Sequence, residues 1–150
     1  MKNNRNSVLT GVTGEYYVAA ELSRMGYIAS ITLRNTKGVD ILCSNSDATK
    51  TVSIQVKTGS EVNRAWILNE KAEKYHSPKH FYVFVNLSKN LPPEYAVVPS
   101  KVVADFTARI HREYLGSVSK SGKAHKDTPM RKFIDLEKRY VNNWDVLGLN

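Results

Sequence analysis

The order of apolar and polar segments predicts an α/β fold, a central mixed β-sheet flanked by helices. Three observations carry this. Short runs rich in β-branched and aromatic residues alternate with longer stretches of helical periodicity. Two of the runs, 39–43 and 51–57, are joined by the polar stretch Ser44-Asn45-Ser46-Asp47-Ala48-Thr49-Lys50, which is too short for a parallel crossover, so that pair is an antiparallel hairpin. A later run, Phe81-Tyr82-Val83-Phe84-Val85-Asn86, has the continuous apolar character of a strand buried on both faces.

The elements follow in order. Residues 10–25 form a helix, with Val12, Tyr16, Ala19, Ala20 and Leu22 along one stripe and Gly26 as its stop. Strands are expected over 27–33, 39–43 and 51–57, and a second helix over 65–75. After the strand at 81–86, Pro92-Pro93 forces a turn, and a short strand over 95–98 ends at Pro99. Ser100 is placed to cap a helix over 101–111. Residues 116–129 read as a polar, basic loop, and 133–147 as mostly helix with Trp144 and Leu147 packing inward. The predicted order is α-β-β-β-α-β-β-α-α in one domain, its core about 8–98 and a helical extension about 100–150.

Composition narrows the function. The chain of 150 residues carries 22 Lys+Arg against 14 Asp+Glu, a net charge of +8, which favours an anionic partner, and nucleic acid is the commonest. A single cysteine, Cys43, excludes an intramolecular disulfide framework and reads as a small core residue. The polar start Met1-Lys2-Asn3-Asn4-Arg5-Asn6 is not a secretory signal, and no run reaches membrane-spanning length, so a cytoplasmic location without membrane contact is expected.

Glu15, Asp40, Gln55 and Lys57 form the chemical constellation. With the hairpin loop centred near Asp47 and Ala48, antiparallel pairing sets Asp40 opposite Gln55. Alternation along the strand puts Gln55 and Lys57 on one face and Ile54 and Val56 on the other. Glu15, in the first helix, could lean over that rim. These groups suit metal-assisted phosphodiester hydrolysis. The carboxylates of Asp40 and Glu15 and the amide oxygen of Gln55 are hard donors for Mg²⁺, with Mn²⁺ as substitute. Lys57 could orient or deprotonate the attacking water, or stabilise charge growing on the phosphate.

The segments Gly14-Glu15, Gly38-Val39-Asp40-Ile41 and Ile54-Gln55-Val56-Lys57 together resemble the PD-(D/E)xK nuclease superfamily. That superfamily includes restriction endonucleases, archaeal Holliday junction resolvases and Mrr-like enzymes. The resemblance covers about 8–98. It implies a restriction-endonuclease-like α-β-β-β-α-β core, Mg²⁺ dependence and DNA cleavage. It assigns Asp40 to the metal-binding acid position, Gln55 to the second acid position, Lys57 to the lysine position and Glu15 to the helix glutamate position. Val39 stands where the motif's name has proline, and Gln55 replaces an acid, as in the Mrr-like Gln-x-Lys variant. The alternative is a catalytically inactive module of this fold that binds DNA or a protein partner. Cutting both strands of a duplex would be served by a homodimer, whose twofold symmetry supplies two sites.

Outside this group, Lys120, Lys123 and Lys126 of the basic loop, and Arg64, are candidate nucleic-acid contacts. The stretch Gly116 to Ala124 is not a Walker phosphate loop. Five residues separate its glycines, and Ala124 stands where Ser or Thr would hold the metal.

Overall fold

The computed structural model describes residues 7–33, 36–59, 64–74, 76–88 and 90–150. A five-stranded mixed sheet runs in the order β1-β2-β3-β5-β6, and β4 and β7 form a separate two-stranded sheet. The chain enters through helix α1 (Ser7–Arg24), then β1 (Ile28–Ile31), β2 (Ile41–Ser44) and β3 (Thr51–Gly59). β4 (Ala65–Asn69), β5 (His80–Asn86), β6 (Glu94–Pro99), helix α2 (Ser100–Leu115) and β7 (Met130–Ile134) follow. β1, β2 and β3 pair antiparallel, β3 and β5 parallel, and β5 and β6 antiparallel. The expected central hairpin is present, with Ile41 opposite Ile54 and Ser44 opposite Thr51.

β5 is the spine. Six of its side chains, from His80 to Val85, are buried in succession. Phe81, Val83 and Val85 enter one core with Val18 and Leu22 of α1, Ile41 and Cys43 of β2, and Val52, Ile54 and Val56 of β3. Tyr82 and Phe84 enter the other core with Val103 of α2, Trp66 and Leu68 of β4 and Phe133 of β7. There the Phe84 and Phe133 rings stack at 4.5 Å between centroids, and Trp66 donates its indole N–H to Val85 O at 3.1 Å.

Three expectations are corrected. The helix expected over 65–75 is β4 followed by a 3-10 turn, Glu70–Glu73. Trp66 and Leu68 are buried while Ile67 and Asn69 are exposed, a period of two, and the Asn69 side chain accepts from Lys71 N to start the turn. The helix expected over 133–147 is β7, a run of turns and a 3-10 turn, Trp144–Leu147. Residues 100–150 are thus not a helical extension: β7 pairs with β4, and Val141 bridges to Ala96 at the edge of β6. Ser100 is the first residue of α2 rather than its cap. Its buried hydroxyl donates to Ser77 O at 2.9 Å and accepts from Ser77 N at 3.0 Å.

Arg64 also departs from its expected role as a phosphate contact. It is 5% exposed, and its guanidinium is ion-paired to Glu94 and, at 3.4 Å, to Asp135, itself 4% exposed. Its Nε donates to Asp135 O at 2.7 Å. Asp135 in turn accepts from Arg139 N at 2.9 Å, so one buried cluster ties the start of β4 to the end of β7. Removing one partner of a buried ion pair leaves the other charge uncompensated. Arg64→Ala is therefore expected to lower stability by about 3 kcal/mol in urea unfolding. A fall in DNA affinity with stability intact would instead make Arg64 a ligand-facing cation.

Candidate active site

Asp40 sits where the β2–β3 ladder gives out. The pairing that sets Ile41 opposite Ile54 would continue to Gln55, but Asp40 N–H donates at 2.9 Å to Ile54 O instead. The carboxylate then reaches across, and its Oδ2 accepts from Val56 N at 2.7 Å. Irregular pairing of this kind re-aims a side chain at the end of a strand. Thr32 fixes the backbone from the other side. Its N–H donates to Asp40 O at 2.9 Å, and its hydroxyl to Val39 O at 2.7 Å.

Glu15 reaches the same place from α1. A cleft of about 260 Å³ is lined by Gly11, Val12 and Glu15 of α1, by Thr32 and Thr36 after β1, and by Asp40. A Cβ on Gly11 would have no atom within 4 Å, so the helix wall opens onto free space there. One turn on, Gly14 presses against β3. A Cβ at Gly14 would fall 1.8 Å from Thr58 Oγ1, so only glycine permits this approach. The contact lies next to Glu15 on one side and Lys57 on the other.

Gln55 and Lys57 are half-buried and alternate with the buried Ile54 and Val56, as the strand period requires. Neither lines the cleft. Lys57 is nonetheless near enough for its charge to act on Asp40. Burial pushes the Asp40 carboxyl above its ordinary value, opposed by the Val56 N–H bond and then by attraction to Lys57. Glu15 and Asp40 are thus brought together, Lys57 is coupled to Asp40 through space, and Gln55 neighbours Ile54 and Val56, the two residues that bond to Asp40. Among the described residues, no three or more His, Cys, Asp or Glu converge on one point, in keeping with an amide at position 55. The donors that line the cleft, two half-buried carboxylates, are of the kind that fit a hard divalent cation.

The sequence alone leaves Gly11, Gly14 and Thr32 without a structural role. The spacing Gly11-x-x-Gly14-Glu15 puts two small residues on one helix face just before the acid, and was the available signal. Cys43 is fully buried, and burial pushes its thiol up to about 11, which removes it as a nucleophile at neutral pH.

No protein-family model matches the chain, and no curated protein is similar to it in sequence. Solved structures are similar in fold. A bacterial homing endonuclease, I-Ssp6803I, superposes with a TM-score of 0.56 at 14% identity, over 95% of this chain and 92% of that one. Hjc of Archaeoglobus fulgidus, a Holliday junction resolvase, superposes with a TM-score of 0.52 at 13% identity, over 93% and 97%. The chain therefore has the restriction-endonuclease-like fold. Among the described residues, no helix is long and apolar enough to cross a membrane.

Two predictions follow from the geometry. Gly14→Ala drives a methyl into Thr58, and overpacking of this kind costs roughly 1–3 kcal/mol. It should lower the unfolding midpoint, and Thr58→Ala in the same chain should recover part of the loss, a coupling that a double-mutant cycle reads directly. For Asp40 the direction is set by its raised pKa. The stability it contributes is fully present below the ordinary value of 3.8 and is lost as pH rises through the folded value. In metal-free buffer, Asp40→Asn should therefore melt higher than the parent at pH 7, and the difference should close as the pH is brought toward 3.

Proposed function

We propose that this protein is a metal-dependent endonuclease that hydrolyses DNA phosphodiester bonds at the Glu15–Asp40 cleft. The observation that carries the reading is the convergence of these two carboxylates, from α1 and from the entry to β2, with Lys57 in electrostatic reach of Asp40. The restriction-endonuclease-like fold, held in common with a homing endonuclease and a junction resolvase, supports it. So does the net charge of +8, which suits a polyanionic substrate.

In this reading Glu15 and Asp40 would hold a divalent cation, Mg²⁺ or Mn²⁺, and Gln55, which does not line the cleft, would add its neutral amide oxygen by turning its side chain toward Asp40. Bound there, the cation supplies Lewis-acid polarisation of the phosphate and a lowered pKa for water. Asp40 is held in place by Val56 N–H on Oδ2, and Oδ1 would be the oxygen it offers to a cation. Lys57 orients the attacking water or donates to the phosphoryl oxygen as its charge grows. The whole chain, residues 1–150, acts as one nuclease domain in the cytoplasm, and a homodimer supplies a second site where two strands are cut.

A second reading is favoured by one specific observation: among the described residues the carboxylates lining the cleft are two, Glu15 and Asp40, and position 55 carries an amide rather than an acid. On that reading the fold survives as an inactive module that binds DNA or a protein.

Cleavage of linear, supercoiled, single-stranded and four-way-junction DNA with Mg²⁺ or Mn²⁺ separates the two readings. The nuclease reading expects metal-dependent cleavage of at least one substrate. It further expects Asp40→Ala and Lys57→Ala each to lower the rate by about 100-fold or more, with folding intact. No cleavage of any substrate, with no shift in melting temperature on adding metal, favours the module.

A further inference from the structure

The segment between α2 and β7, expected as a loop, is a built arm. Val118 bridges to Ala124. Ser119 N donates to Lys123 O at 2.8 Å, and Gly122 N to Ser119 O at 2.8 Å, with Gly122 at a φ of 76° closing the turn. The arm is fastened to α2 at its return. His111 Nε2 meets Asp127 Oδ1 at 2.8 Å, and the His125 ring lies 4.0 Å from that of Tyr114.

We propose that this arm is a clamp for the sugar–phosphate backbone of DNA. The proposal rests on DNA being the substrate and adds how the chain holds it. From Gly116 to Lys126 there are three lysines and no acid. Lys120, Lys123 and Lys126 are all exposed, and among the described residues none has a carboxylate within ion-pair distance. The nearest acid along the chain, Asp127, is occupied by His111. Some exposed cations elsewhere are paired locally, Lys101 with Asp105, Arg109 with Glu113 and Arg139 with Glu137. Lys71, Lys74, Lys79 and Lys132 share the arm's lack of an ion pair among the described residues, but lie scattered along the chain rather than on one acid-free turn.

An ordered turn that presents unpaired ammonium groups matches a regularly spaced polyanion. Lysine meets phosphate as a point charge and carries no base-edge information. The one ring of the arm, His125, is packed on Tyr114 of α2, so the arm offers no free ring on which a base could stack. Backbone contact without sequence preference is the partner chemistry this leaves.

The test is the salt dependence of binding to a labelled duplex of about 25 base pairs, in EDTA so that no cleavage occurs, from roughly 50 to 200 mM salt. Each phosphate contact contributes about 0.9 to the slope of log K against log salt. Replacing Lys120, Lys123 and Lys126 with Ala should make the slope shallower by up to about 2.7, equally on unrelated sequences, while replacing all three with Arg should leave it unchanged. A slope in the Ala variant equal to the parent's overturns the clamp. The arm lines no part of the Glu15–Asp40 cleft, and its loss should also raise the DNA concentration needed for half-maximal cleavage. A parent that fails to cleave yet shows the slope change removes the nuclease reading and leaves the clamp standing.

Discussion

The candidate site depends on the contact between Gly14 and Thr58. A helix normally keeps its backbone a side chain's width from the sheet it covers. Here Gly14 removes that spacer and lets α1 settle onto β3 beside Lys57. Val18 and Leu22, one and two turns further on, are fully buried and hold the helix down. Glu15 follows Gly14 directly, so its place relative to β3 is set by this close approach of α1 to Thr58. Asp40 is set by a second device, the ladder that breaks at Ile54, with Thr32 bonding the backbone and Val56 bonding the carboxylate. Neither acid rests on a long side chain reaching through solvent. Both are positioned by backbone, which is the rigidity that metal-assisted chemistry requires.

The chain treats its charges in two ways. Away from the cleft, buried cations are matched: Arg64 meets Glu94 and Asp135, and Arg131 meets Glu73. Those clusters join β4, β7 and the turns around them, and they are structural. At the cleft Asp40 is treated differently. Asp40 is desolvated with a backbone N–H and a through-space lysine as compensation, and its pKa rises as a result. A half-buried carboxylate whose charged form is penalised by burial weakens the fold, which is a pattern expected of a functional site.

Much of this was legible in the sequence because local pattern and tertiary role agreed. The polar loop between two apolar runs fixed the β2–β3 hairpin and its register. The unbroken apolar run at 81–86 announced the spine, β5. The α1 stripe through Leu22 found the face that packs. Misreadings fell where two signals competed. Residues 65–75 combine the strand alternation of Ala65-Trp66-Ile67-Leu68-Asn69 with the helix-favouring Glu70-Lys71-Ala72-Glu73, and the second masked the first. β7 is held by its partner β4, a contact some 65 residues away in the chain, and no local signal reveals it. Arg64 reads as a surface cation because its partners, Glu94 and Asp135, lie 30 and 71 residues away in the chain. Asp40 and Lys57 were found by residue type and spacing, but the route by which Glu15 joins Asp40 needed the Gly14 contact, which only packing discloses.

The central claim is that Glu15 and Asp40 together hold a divalent cation. Titration of the metal-free protein with Mn²⁺, followed by the loss of the free-ion electron paramagnetic resonance signal, tests it without reference to any substrate. The account predicts saturable binding by the parent, abolished in Glu15→Gln and in Asp40→Asn. Binding that survives both carboxamide substitutions, or no binding by the parent at millimolar Mn²⁺, would contradict it.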